Sequence, residues 1–282
     1  MRIKKIKRVL ELNLKHHLLR LTPVLVYSME RSGSVALLNT LENAGVFVIG
    51  AHYLDPKKLA TQPFSGSARW AATHIIRKRK PAKIISLVRH PIENMLSTYA
   101  RTDYGSQSDR SLDASPESSR GHSDEVSREF CEAYLQANRH LHLLEWFTNE
   151  FQSALGVNVY DYPFDKQKGF AEFRAGPYDV LILRTELPDS DKAGLVASFA
   201  GIEGIEMASR SAPSKVRRRL PPGKPGHQTE YAEKYKALQE SVVFPQSYLD
   251  SIVDSQYVQH FFTSEEQSAM RSRFGGGIKQ ES

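Results

Sequence analysis

The chain has 282 residues, 40% hydrophobic and 25% charged, with one cysteine and a net charge of +6. This is the composition of a folded globular protein, and it excludes a disordered tail, a collagen-like repeat and a disulfide scaffold. The excess charge is local: residues 1–20 carry Arg2, Lys4, Lys5, Lys7, Arg8, Lys15 and Arg20 against Glu11 alone. The rest of the chain is therefore balanced, which argues against a uniformly basic nucleic-acid binder. No run approaches the roughly 18 apolar residues of a membrane-spanning helix. The lone Cys131 cannot form an internal bridge, so a reducing compartment, the cytoplasm, is expected.

Residues 1–21 are predicted to form a basic amphipathic helix, with Ile3, Ile6, Val9, Leu10, Leu14 and Leu18 at helical spacing. Basic residues run through the whole segment, unlike a secretory signal. Such a helix either lies on an anionic membrane surface or packs its leucines on the body and solvates its lysines. From Pro23 strands and helices alternate. Strands are expected at Val24–Ser28, Val46–Ile49, Lys83–Val88, Val157–Tyr160 and Val180–Leu183. Helices are expected at Ser34–Asn43, Ala68–Arg79, Ile92–Tyr104 and from about Asp124 to Leu155. Short, fully apolar strands between helices indicate a parallel sheet covered on both faces, within a single α/β domain over residues 22–274. The Ser-rich stretch 105–123 has little to bury and reads as a flexible loop, either a lid or an inert insertion. The last third is helical and polar, broken at Leu220–Gly226, and the tail 275–282 is expected to fray.

Two strand–turn–helix junctions carry the chemistry. The first is Tyr27–Val35. A helix start presents unpaired N–H groups and the positive end of the dipole, Ser32 and Ser34 add hydroxyl donors, and Arg31 adds a permanent cation. The pattern is not G-x-x-x-x-G-K-[ST], so the lysine and magnesium-binding hydroxyl of an ATP-type loop are missing. The alternative is a plain turn in which Ser32 or Ser34 caps the helix. The second junction, Val88–Tyr99, places Arg89 at a strand's carboxyl end and Pro91 at the first helical position, with Ser97 two turns on.

Arg31-Ser32-Gly33-Ser34 after the first strand, followed by strand–Arg–x–Pro with a Ser eight positions after the Arg, resembles the sulfotransferases. That family uses 3′-phosphoadenosine 5′-phosphosulfate (PAPS) as sulfuryl donor and has a P-loop-like three-layer fold, a central parallel sheet flanked by helices. The resemblance implies that Arg31, Ser32, Gly33, Ser34 and Val35 hold the 5′-phosphosulfate and that Arg89 and Ser97 hold the 3′-phosphate. Val159–Asp165 with Lys168-Gly169, and Tyr257 with His260–Thr263, are similar to sulfotransferase-like bacterial capsular polysaccharide synthesis proteins. Leu181–Glu186 is similar to a strand preceding an acidic residue in many sulfotransferases. The sequence departs from the family at His90, where Asp is frequent, and at Arg31, where Lys is frequent. A late basic loop that closes over the 3′-phosphate in the family is matched loosely by Arg217, Arg218 and Lys224. The alternative there is an exposed basic strip.

Sulfuryl transfer needs a base for the acceptor hydroxyl and cations for the leaving phosphate. His52, just after the second strand, is the expected base; Glu30, Asp55 and His74 are the other candidates. No metal is expected. His74, beside Trp70, reads as a packing residue. Arg77-Lys78-Arg79-Lys80 reads as a solvated helix end. The expected activity is transfer from PAPS to a hydroxyl of a carbohydrate or similar polar acceptor, without nucleic acid as a partner. A nucleotide kinase, or a non-enzymatic polysaccharide-assembly protein at a membrane surface, is the alternative.

Overall fold

Strand β1 (Val24–Tyr27) has all four side chains buried, so both of its faces must be covered. It pairs in parallel with β2 (Val48–Ala51) on one side and β3 (Ala82–Val88) on the other. A computed structural model describes residues 2–61, 66–102, 130–132, 138–208 and 227–275. Within them β3 also pairs in parallel with β5 (Tyr178–Arg184), and β4 (Phe170–Ala175) runs antiparallel to β5 at the edge. The five-stranded order is β2-β1-β3-β5-β4, a mixed α/β sheet that is mostly parallel. The expectation of an all-parallel sheet is corrected at this edge. In β4 only Ala171 and Ala175 are buried, and Glu172 and Arg174 are exposed, so it lacks the continuous apolar run by which a doubly covered strand is recognised.

The helices, in chain order, are α1 (Arg2–Asn13), α2 (Ser34–Asn43), α3 (Pro56–Thr61), α4 (Gly66–Ala71), α5 (Pro91–Thr102), α6 (Arg139–Leu144), α7 (Ser153–Leu155), α8 (Asp189–Ala200), α9 (His227–Ser241), α10 (Gln246–Val253), α11 (Gln256–Phe261) and α12 (Ser264–Phe274). π-Helical turns continue three of the helical stretches at Leu14–Leu18, Ala72–Ile76 and Phe147–Gln152. The expected continuous helix from Asp124 to Leu155 is interrupted at Asn138, whose φ of 47° is left-handed, and again after α6. The expected second strand starts two residues late. Gly45, at φ 76°, turns the chain out of α2, and Val46 donates back to Leu41. Val157–Tyr160 makes no strand, because the Asn158 side chain accepts from the Tyr160 N–H and starts a 3-10 turn at Val159–Asp161 instead.

The chain divides into two compact units. One comprises Met1–Arg89 with Trp146–Leu220, and the other His90–Glu145 with Pro221–Ser282. In the first, α2 and α8 cover one sheet face. Leu37, Leu41, Val196 and Phe199 pack there on Val24, Val26, Ile85, Leu87, Leu181 and Leu183. Gly50 lets α2 approach β2, since a Cβ there would lie 2.4 Å from Leu38 Cδ1. Tyr27 points to the opposite face, as strand alternation requires, and meets Trp146 and Phe151 at ring distances of 5.0 and 5.4 Å. In the second unit, Tyr99, Phe130, Phe244 and Phe274 form a chain of ring contacts. There α5 is bound to α9 by Tyr235 and Gln239, which both donate to Glu93. The Ser-rich loop 105–123 and the tail from 276 lie outside the described residues.

Candidate functional site

The loop between β1 and α2 turns tightly because two of its residues are left-handed, Arg31 at φ 62° and Gly33 at φ 88°. Gly33 is required twice over: its φ suits glycine, and a Cβ would come within 3.3 Å of Thr185 Cγ2. Arg31 lacks that freedom and is held instead. Its carbonyl accepts from Arg89 Nη1 at 2.7 Å.

Three more of the loop's carbonyls are held in the same way. Ser28 O is bonded by His52 Nδ1 at 2.8 Å, Met29 O by Ser32 Oγ at 2.8 Å and Ser32 O by Thr185 Oγ1 at 2.7 Å. In a planar trans peptide the following N–H is antiparallel to the carbonyl. Pulling carbonyls 28, 29, 31 and 32 onto protein donors therefore turns the N–H groups of Met29, Glu30, Ser32 and Gly33 away from those donors. Left-handed residues in such a loop, leading into a helix N-terminus, form an anion-binding concavity. The side-chain cap considered above is absent: Gly33 is the N-cap of α2, with no side-chain cap bond.

The expected residues that the structure describes fall as follows. Ser32 is fully buried; its hydroxyl donates to Met29 O and accepts from Ser28 Oγ at 2.9 Å. In this arrangement the hydroxyl proton is used inside the loop. What Ser32 can offer an anion is its backbone N–H. Ser34 and Val35 open α2, where intrahelical acceptors for the first N–H groups are lacking, and Val35 is exposed. Arg89, expected at the 3′-phosphate, donates to the backbone carbonyl of Arg31, expected at the 5′-phosphosulfate. Ser97 is buried in the second unit, its hydroxyl paired with Tyr231 OH at 2.9 Å. Arg217, Arg218 and Lys224 lie outside the described residues.

His52 is half-buried after β2, and its Nδ1 faces a carbonyl oxygen that can only accept. Nδ1 must then carry the proton, so in neutral His52 the lone pair sits on Nε2, the nitrogen a base would use. Asp55 is a poorer base. Burial opposes its charge, yet the Ser153 hydroxyl and the N–H groups of Lys57 and Lys58 hold its carboxyl below the usual range. His74 stacks on Trp70 at 5.0 Å and bonds Trp70 O, a packing role as expected. Arg77–Lys80 are exposed, also as expected.

Glu150 was not anticipated. It is fully buried, and its Oε1 accepts from Tyr27 OH at 2.7 Å, Leu54 N at 2.7 Å and Asp55 N at 2.9 Å. Lys58 Nζ lies 3.3 Å from the other oxygen. Burial, and then the Glu150 charge, push the Tyr27 hydroxyl well above the ordinary tyrosine range. Burial followed by Glu30 and Glu150 raise Tyr53 to about 12. Trp146 Nε1 donates to His52 O at 3.3 Å, so His52 is held through its carbonyl as well as its ring. An acid within a mixed helical stretch gives no sequence signal for this. Thr185 was also missed, although its position just past a strand's carboxyl end was a usable signal.

Beside the loop lies a cavity of about 420 Å³. Its apolar wall includes Leu37, Leu87, Leu183 and Met207, and its polar groups include Thr185 and Lys192. Lys192 Nζ donates to Thr185 O at 2.9 Å and pairs with Asp189 at 2.8 Å. Among the described residues no group of three or more His, Cys, Asp or Glu is placed to hold a metal ion. Comparison of the chain with protein-family models, curated proteins and solved structures finds no match.

Proposed function

We propose that the chain is a P-loop-like sulfotransferase, moving a sulfuryl group from PAPS to a hydroxyl of a carbohydrate or similar polar acceptor. The supporting observation is the loop 28–33, four of whose carbonyls are drawn back onto His52, Ser32, Arg89 and Thr185. Its N–H groups and the start of α2 then serve the 5′-phosphosulfate without reorganising, which is what transition-state stabilisation requires. In the transfer, the acceptor oxygen bonds to sulfur as the bond from sulfur to the bridging phosphate oxygen breaks. The products are a sulfate ester and 3′,5′-ADP. His52 Nε2 takes the acceptor's proton, and Arg31 and the loop N–H groups stabilise the charge left on the 5′-phosphate. Arg31 stays protonated throughout, so it stabilises that charge and donates no proton to the leaving group.

Two measurements test this. 3′,5′-ADP at 100 times its dissociation constant should stabilise the protein by about 2.7 kcal/mol, and no thermal shift at all would sink the proposal. Labelled PAPS should transfer its sulfate to at least one member of a glycan panel. There His52→Ala should lower the rate about 100- to 10,000-fold while the response to 3′,5′-ADP persists. Unchanged transfer by that variant would move the base elsewhere.

A further inference from the structure

Helix α1 does not pack its leucines as a surface helix of a globular protein would. Its inward side is secured: Leu12 is fully buried, Asn13 Oδ1 accepts from Trp70 Nε1 at 2.8 Å, and His16 meets the Trp70 ring edge at 5.6 Å. Lys15 Nζ sits over the Phe47 ring, and Arg8 pairs with Glu11 and lies 4.0 Å from Glu42. Leu10, Leu14 and Leu18, four residues apart, are nevertheless exposed by 62, 49 and 71%. Leu19 and Leu21 extend the apolar surface, and Arg20 bends the chain there at φ 53°. Exposed Lys7 and Arg20 border it.

We propose that this outward face of α1 and its π-helical turn docks on an anionic lipid surface. Charge complementarity selects that occupant. Residues 1–20 hold seven basic groups against one acid, in a chain whose total net charge is +6. A second copy pairing through the same face would bring two such segments together and repel. A headgroup layer carrying negative charge attracts them while the leucines enter the acyl boundary. Trp70, Asn13 and Leu12 fix the helix on the opposite side, so the leucine face is preformed and need not be ordered on binding. Among the described residues no helix is long and apolar enough to cross a membrane. The proposal is therefore of a helix lying in the interface.

Co-sedimentation of the full chain with vesicles tests this. Binding is expected to phosphatidylcholine vesicles containing phosphatidylglycerol, weakening as salt is raised, and not to phosphatidylcholine alone. The combined variant Leu10→Gln, Leu14→Gln, Leu18→Gln should bind more than tenfold more weakly at an unchanged melting temperature. Lys7→Glu with Arg20→Glu, which leaves the leucines in place, should also lose more than tenfold and provides the reading if the leucine variant fails to fold. Binding that ignores lipid charge, or that survives both variants, overturns the proposal. So does a concentration-dependent dimer that disappears with the leucines, which would make a second copy the occupant.

Discussion

The two strand–turn–helix junctions have similar sequence grammar and opposite structures. At the first, β1 to α2, the carbonyls of Ser28, Arg31 and Ser32 are bound by other parts of the chain, and Gly33 caps without a side chain. At the second, β3 to α5, the helix start is satisfied by the residue before it. His90 Nδ1 accepts from Glu93 N at 3.3 Å, and His90 O accepts from Asn94 N at 3.0 Å. His90 thus accepts from the first turn as an Asp or Asn N-cap does. The Ser97 hydroxyl, two turns on, is paired with Tyr231. A strand followed by a turn and a helix is therefore not yet an anion site. The difference lies in whether the chain caps its own helix start.

This contrast can be broken at several points. The largest effect is expected from Glu150→Ala, which leaves Tyr27 OH and two backbone N–H groups without their acceptor beneath the first loop. Urea unfolding should show a loss of about 3 kcal/mol; a loss under 1 kcal/mol would mean the network contributes little to holding the loop. Next is Gly33→Val at the loop itself. The φ of 88° and the approach to Thr185 should strain the loop by about 1–2 kcal/mol and abolish the thermal response to 3′,5′-ADP. An intact response would place the anion elsewhere. At the second junction, Tyr231→Phe should cost about 1 kcal/mol or less by removing the hydroxyl that pairs with Ser97. If Ser97 serves the 3′-phosphate, this variant should bind 3′,5′-ADP at least as tightly, and Ser97→Ala more weakly. Equal affinity in both would remove Ser97 from the site.

The smallest effect concerns pH. Asp55 titrates below its ordinary 3.8 in the folded chain, so its ionised form stabilises the fold above that value. The contribution is lost as pH falls through the folded-state value. Asp55→Asn should flatten the acid limb of the stability–pH curve, measured by thermal unfolding. A limb as steep as that of the unmodified protein would assign acid sensitivity to other carboxylates.

Residue pattern alone was enough to locate the strands with apolar runs, expected at Val24–Ser28, Lys83–Val88 and Val180–Leu183, because burial on both faces leaves a near-continuous hydrophobic signature. It was also enough to locate the loop at Arg31–Ser34, since Gly and Ser between a strand and a helix punctuate the chain locally. It missed β4, which is half polar because it sits at the sheet edge. For the N-terminal segment it established the composition and the helical period, and left open which face is covered.

Those remaining matters depend on contacts far apart in sequence. Arg89 reaches the Arg31 carbonyl across 58 positions, Thr185 reaches Ser32 across 153 and Glu150 reaches Tyr27 across 123. Local preference determines where a turn can form. Only the packed chain decides which way its peptides face, because the donors that fix their orientation arrive from other strands and helices.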